Sequence, residues 1–263
     1  MNPNSQTALI TGASGGIGYE LAKLFARDQY NLVLVARSGP RLAQVADELR
    51  QKQGISVKTI PLDLGLPQAA PDLFEETQRA GIHVDMLINN AGYGAYGNLA
   101  EMPLEDCYGQ IQLNATALTL LTRLYLSPML ERHSGKIMNV ASTAAFQPGP
   151  RMAVYYATKA YVLSFSEAIA NELAGTGVTV TCFCPGATLT NFQQRAGVQS
   201  SRLFKRVGAM SAKRVAEEGY RALMSGKTLA IPGFHNWLAA ESVRFAPRKL
   251  VTAISRWVAE KVE

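Results

Sequence analysis

A chain of 263 residues with 48% apolar composition is long enough to bury a core of its own, and one domain spanning 1–263 is expected. The formal charge of +6 is unevenly spread: 12 of the 26 basic residues fall in the last 62 positions, against 5 of the 20 acidic ones. A nucleic-acid footprint would more often be a basic face interleaved with aromatic residues, so nucleic acid is not an expected partner. The polar stretch 1–6 and the glycine-broken run after it do not read as a secretory signal. The longest apolar helical stretch, 113–130, carries Asn114 and Arg123 and runs into Pro128, which makes it a poor membrane span. Cys107, Cys182 and Cys184 form no CxxC pair, and His83, His133 and His235 have no ligand spacing. A reducing, cytoplasmic setting and no metal site are the expectations.

In chain order, 7–10 reads as strand, 17–29 as helix and 31–36 as strand. Leu42, Val45, Ala46 and Leu49 mark one face of the next helix. Then follow strand 55–62, helix 67–80, strand 84–89, a long helix 104–130, strand 136–140, helix 153–174 and strand 178–184. After a loop-rich segment over 187–210 come a helix at 212–224 and a last strand at 228–231. Strands alternating with helices imply βαβ units, hence a doubly wound α/β domain with a parallel sheet and helices on both faces.

The first strand-to-helix turn reads Thr11-Gly12-Ala13-Ser14-Gly15-Gly16-Ile17-Gly18. Glycines there let backbone approach a pyrophosphate, and the helix amino terminus supplies N–H donors of favourable dipole sign. At the end of the second strand an NAD site would want a carboxylate for the ribose 2′-hydroxyl, but the chain has Arg37-Ser38. A guanidinium pairs instead with a 2′-phosphate, which favours NADPH over NADH. Because position 14 is Ser, Arg37 has no second basic partner in the glycine loop, and the preference is expected to be incomplete.

Tyr155 and Lys159 are four apart in a predicted helix and so share a face. A neighbouring ammonium favours a phenolate and lowers its pKa, which lets a tyrosine pass a proton. Tyr156 stands three residues before Lys159, and that spacing also meets on a helix. Ser142, just past the fifth strand, lies where parallel sheets place ligands, and Thr143 competes with it.

On these motifs, in this order, the chain resembles the short-chain dehydrogenase/reductase family from residue 7 to about 190: Thr11 to Gly18, Asp63-Leu64, Asn89-Asn90-Ala91-Gly92, Asn114, Ser142, Tyr155 with Lys159, and Pro185-Gly186. The resemblance implies a single Rossmann-type domain with a seven-stranded, mostly parallel sheet, assembled as a dimer or tetramer. It selects Tyr155 over Tyr156 as proton donor, and Ser142 over Thr143 as the hydroxyl that holds the substrate oxygen. It gives Lys159 a ribose contact and Asn114 a water relay. It also brings Asp63 and Leu64 to the adenine end of NADP(H), lines the cofactor crevice with Asn90, Ala91 and Gly92, and brings Pro185, Gly186, Thr188 and Thr190 to the nicotinamide or pyrophosphate. Each has a plainer reading: Asp63 as a turn cap, 89–92 as a strand-ending turn, the threonines as helix caps.

The implied activity is interconversion of a carbonyl compound and an alcohol. A sensor that binds NADP(H) without catalysis is the other class, and the proton donor argues against it. The segment 187–210 corresponds to the family's substrate cover, with Phe192, Val198, Leu203 and Phe204 as an apolar lid. Tyr93, Tyr96, Phe146, Pro148 and Met152 are the expected opposite wall. Such a cleft suits a bulky hydrophobic ketone or aldehyde. In the basic tail over 234–263, Leu250, Val251, Ile254, Trp257 and Val258 share a helix face, with Arg248, Lys249, Arg256 and Lys261 around it. Packing of that face on its own domain or a subunit is expected, with the surface of an anionic membrane, and steroid, sphingoid or acyl lipid substrates, as the alternative.

Overall fold

A computed structural model describes residues 6–202 and 209–260. Seven strands form one sheet in the order β3-β2-β1-β4-β5-β6-β9. They are β1 (Thr7–Thr11), β2 (Asn31–Ala36), β3 (Val57–Pro61), β4 (Met86–Asn89), β5 (Gly135–Val140), β6 (Val178–Phe183) and β9 (Leu229–Ala230). Every neighbouring pair in this sheet is parallel, as the alternating pattern requires. Two short strands, β7 (Thr188–Leu189) and β8 (Met210–Ser211), pair separately in the segment read as loop-rich.

The strands bury side chains on both faces, which explains their near-continuous apolar runs. Ala8, Ile10, Leu32, Leu34, Met86 and Ile88 face one layer, formed by α1 (Gly16–Arg27), α2 (Gly39–Gln53) and α8 (Ala212–Met224). Phe25 of α1 is fully buried there, its ring edge-on to Tyr30 at 5.2 Å and to Tyr220 of α8 at 4.9 Å. Leu9, Val33, Val35, Leu87 and Ile137 face the other layer, built on α3 (Ala69–Arg79), α5 (Leu118–Glu131) and α6 (Ala153–Glu172).

The predicted long helix is continuous over 104–131 but is not uniform. α4 (Leu104–Ile111) passes through one π-type turn, Gln112–Ala117, into α5. Such turns insert a residue into the helical register and recur at functional positions; Asn114 sits in this one. The cover contains α7 (Phe192–Ala196), and the tail forms α9 (Phe234–Ser242) and α10 (Arg248–Ala259).

Beneath the carboxyl ends of β4 and β5 lies a buried polar chain that the sequence pattern does not announce. Asn89 Nδ2 donates to Thr122 Oγ1 at 3.0 Å and to Asn139 Oδ1 at 2.9 Å, and Asn139 Nδ2 donates to Ser166 Oγ at 3.0 Å. Ser166 lies on α6 two turns beyond Lys159, so the network ties the height of that helix to the sheet. In Asn139→Leu, Asn89 loses an acceptor and Ser166 a donor in a dry interior. The expected loss is about 1–3 kcal/mol of unfolding free energy in urea titration; unchanged or raised stability would show that the network does not anchor α6.

Candidate active site

The sheet turns outward in opposite directions from β1 and β4, and the turns after β1, β4, β5 and β6 open on its carboxyl edge, where doubly wound folds bind ligands. Thr11 joins two of these turns. Its Oγ1 donates to the Ile88 carbonyl at 3.2 Å and accepts from the Asn90 and Ala91 N–H groups at 3.0 Å each. Asn90 Nδ2 donates to the Thr11 carbonyl at 2.8 Å, so this side chain holds the glycine turn rather than facing open space. Gly12 has φ +67°, and a Cβ there would stand 2.8 Å from Asn90 Nδ2. At Gly18 a Cβ would lie 2.5 Å from the Gly12 carbonyl, which excludes any larger residue. Gly15, by contrast, faces open space and is the N-cap of α1. Having no side chain, it leaves the first helical N–H groups without a side-chain cap, available to an anion.

Arg37 is exposed, 4.0 Å from Asp63 Oδ2, while Asp63 Oδ1 accepts from the Gly65 N–H at 2.9 Å. Asp63 is thus a turn cap that also faces the guanidinium. The Leu64 side chain is buried in the core. Ser38 caps α2, accepting from the Arg41 N–H at 3.4 Å. That cap sets the phase of the first turn, and Arg41 Nε donates to the Ser14 carbonyl at 3.2 Å. A second guanidinium therefore does stand at the glycine loop. The glycine loop itself supplies no cation, position 14 being Ser; this one reaches the loop from α2, four residues after Arg37.

Asn114 is fully buried and grips the Tyr93 backbone from both sides. Its Oδ1 accepts from the Tyr93 N–H at 3.0 Å and its Nδ2 donates to the Tyr93 carbonyl at 2.8 Å and to Thr158 Oγ1 at 3.1 Å. This links the turn after β4 to α6. Ser142 caps the short 3-10 turn Thr143–Phe146, its Oγ accepting from the Ala144 N–H at 3.1 Å. The cap fixes the hydroxyl, which also interacts with the Tyr155 phenol. Ser142 Oγ also donates to the Pro185 carbonyl at 3.4 Å, which accepts from the Thr143 N–H at 2.9 Å as well.

Helix α6 separates the two tyrosines. The Tyr155 ring packs on Gly94, and Lys159 Nζ is 5.8 Å from its centre. The Tyr156 ring is lodged against Gly149, where a Cβ would have no room. Lys159 is only 4% exposed, and its ammonium donates to the Val140 carbonyl at 2.7 Å. Burial lowers its pKa to about 8. The expected lowering of the tyrosine does not appear: burial holds the Tyr155 phenol above its ordinary value, opposed only by the Ser142 hydroxyl. Lys159 has turned its charge toward β5 rather than the phenol oxygen.

Lid and wall meet in part as expected. Phe192, Ala196 and Val198 of the cover pack with Met152, Tyr96, Tyr155 and Tyr156, and the Phe192 ring lies 5.3 Å from that of Tyr155. Tyr93 instead carries the Arg195 guanidinium on its ring at 4.1 Å, Phe146 packs beside Leu118, Val162 and the two cysteines, and Pro148 is exposed. Leu203 and Phe204 lie outside the described residues. Thr190 Oγ1 caps α7 by accepting from the Phe192 N–H at 3.1 Å, and its methyl faces Gly16. Thr188 Oγ1 donates to the Gly186 carbonyl at 2.9 Å. Gly186 is pressed against Asn236 of α9, a neighbour with no signal in the local sequence.

A family model described as short chain dehydrogenase matches residues 6–200. A ketoacyl reductase of Nostoc sp. is 34% identical over 227 residues, covering 86% of this chain and 78% of that protein. The structure of a short-chain dehydrogenase from Sphingobium yanoikuyae in complex with NADPH superposes with a TM-score of 0.83 at 32% identity, over 91% of this chain and 94% of its own. A bulky-bulky ketone specific alcohol dehydrogenase from Comamonas testosteroni does so with a TM-score of 0.78 at 30% identity, over 92% and 93%.

The buried ammonium makes a pH prediction. Lys159 carries a folded-state pKa of about 8 against the ordinary 10.5, so its charge penalises the fold fully below pH 8 and is relieved as pH rises toward 10.5. In urea titrations, wild type should gain about 2 kcal/mol relative to Lys159→Met between pH 7 and 9.5. A pH-independent difference would contradict the assignment.

Proposed function

The chain belongs to the short-chain dehydrogenase family and is an oxidoreductase; we propose that it uses NADP(H) to interconvert a hydrophobic ketone or aldehyde and its alcohol, with Tyr155 as proton donor and acceptor. The observation that carries this reading is the grouping of the Ser142 hydroxyl, the Tyr155 phenol and the buried Lys159 ammonium at the sheet edge beside the glycine turn. The residues present fit the dinucleotide: uncapped N–H groups at the start of α1 suit a pyrophosphate, and Arg37 and Arg41 are cations for a 2′-phosphate. The NADPH-bound relative supports the same choice. When bound, NADPH supplies the hydride.

The protein side of the reaction follows from the positions of three groups. Ser142, pinned by its own cap, donates to the carbonyl oxygen and polarises it. Tyr155 is held neutral by burial, so in the reducing direction it has its proton to give to the oxygen that becomes negative. Lys159, bonded to the Val140 carbonyl and with a pKa of about 8, changes charge near neutrality and would hold the ribose of the bound cofactor. Asn114 positions the Tyr93 turn and, through Thr158, the helix that carries both groups. The apolar cluster of Phe192, Val198, Met152 and Tyr96 over Tyr155 excludes water and favours a bulky apolar substituent, in keeping with the ketone-specific relative. The outward face of α4 and α6 exposes Leu104, Tyr108, Ile111 and Tyr161, which supports assembly as a homodimer or homotetramer.

Tyr155→Phe is expected to cut kcat for NADPH-dependent ketone reduction at least about a thousandfold, with NADPH affinity changed less than about twofold; Tyr156→Phe should keep most activity. The reverse pattern would assign the proton to Tyr156. A panel of aryl ketones, diketones, sterols and β-ketoacyl thioesters supplies the substrates.

Arg41→Leu should raise the KM for NADPH about tenfold and leave that for NADH nearly unchanged, since a charge-assisted bond is lost only with the 2′-phosphate. Equal effects on both cofactors would remove Arg41 from that site.

A further inference from the structure

Helices α9 and α10 carry an apolar surface that neither the core nor the cleft uses. On α10 the side facing the domain is Val251, Ser255 and Ala259, all buried at four-residue spacing. Leu250, Ile254 and Trp257, also at helical spacing, point outward with 52, 52 and 51% of their surface exposed. Of the face expected to pack on its own domain or on a subunit, Val251 alone is buried on this domain, with the small Ser255 and Ala259 beside it, and Leu250, Ile254 and Trp257 are left outward. Phe234 and Trp237 of α9 add 69 and 46% exposure, and Phe245 between the helices is 88% exposed. The sequence has two tryptophans, and both lie in this patch.

The charge beside the patch is cationic. Lys249 and Arg256 lie seven apart on one flank of the outward stripe, and Arg244 and Arg248 are exposed at its start. Among the described residues the carboxylates of this stretch are already engaged: Glu241 pairs with Arg244 at 3.2 Å, and Glu260 with Arg202 at 2.7 Å and with Arg256 at 3.9 Å. Arg248 and Lys249 have no carboxylate within ion-pair distance among those residues.

We propose that α9 and α10 form a docking surface for an anionic lipid bilayer, lying in its interface rather than crossing it. Tryptophans beside an apolar stripe flanked by Lys and Arg are the chemistry such an interface selects. A two-fold contact with a second copy would set this basic flank against itself, whereas anionic headgroups complement it. The assembly proposed above uses a different apolar face, on α4 and α6. No helix among the described residues is long and apolar enough to cross a membrane, which fits attachment at the surface.

The patch also borders the cleft. Arg202 of the cover donates to the Trp257 carbonyl at 2.9 Å and lies over its ring at 5.0 Å, while Asn236 on α9 presses on Gly186. Docking would therefore turn the cover toward the lipid. The proposal stands on surface chemistry and does not depend on the assignment of Tyr155.

The test uses the full chain with sedimenting vesicles of phosphatidylcholine alone or with 30% phosphatidylserine, and reads tryptophan emission, which reports on this patch alone. Binding at least tenfold stronger to the anionic vesicles, a blue shift on binding and weakening by salt are expected. Lys249→Glu with Arg256→Glu should reduce binding at least tenfold at unchanged melting temperature and subunit mass. Equal binding to both vesicles, no binding, or binding that survives the charge reversal overturns the proposal. So does a fall in subunit mass in Leu250→Ser with Ile254→Ser when wild type ignores vesicles, which would make the patch an interface between copies.

Discussion

A buried ammonium needs an oxygen, and the one that Lys159 reaches is the Val140 carbonyl at the end of β5, 2.7 Å away. With 4% of its surface exposed, the charge would otherwise be unsolvated, and its pKa of about 8 records the cost. The bond fixes α6 against the sheet edge at the level where β5 gives way to Ser142. Tyr155, one turn earlier, is thereby carried to that hydroxyl. Asn139, reaching Ser166 two turns further down, holds the same helix at a second point. The grouping of Ser142, Tyr155 and Lys159 is a consequence of how one helix is pinned to one strand.

Polar side chains do much of this positioning. Thr11 and Asn90 lock the turns after β1 and β4 together, and Asn114 fastens the turn after β4 to α6. None needs to touch a reacting atom. Each fixes backbone whose N–H groups or side chains face the cleft, and because the bonds are buried they are geometrically demanding. Asn90 does so from within the motif segment 89–92, its amide bonded to the Thr11 carbonyl.

Much of the fold was legible in the chain. Strands buried on both faces read as short runs of Val, Ile and Leu, and the helices between them force parallel pairing. The glycine turn was legible because backbone packing at Gly12 and Gly18 leaves room for nothing else. Helical spacing could not separate Tyr155 from Tyr156; the family resemblance selected Tyr155, and the place of the Tyr156 ring against Gly149 depends on a residue outside the helix. Arg41 escaped because the Ser38 cap sets its direction, and the π-type turn at Asn114 has no compositional mark. On α10 the apolar pattern was real, but Val251, Ser255 and Ala259 form the contact because small side chains allow close approach, leaving the large ones outside. The phenol of Tyr155 was misjudged because spacing puts an ammonium nearby without saying which oxygen it faces.

The most direct test is a crystal structure of the protein with NADP+. The nicotinamide should lie against Tyr155 and Ser142 with Lys159 on its ribose, the 2′-phosphate should touch Arg37 and Arg41, and the Phe192 ring should have left Tyr155. A dinucleotide bound with its nicotinamide away from Tyr155, or with its 2′-phosphate touching neither arginine, would contradict this description of the site.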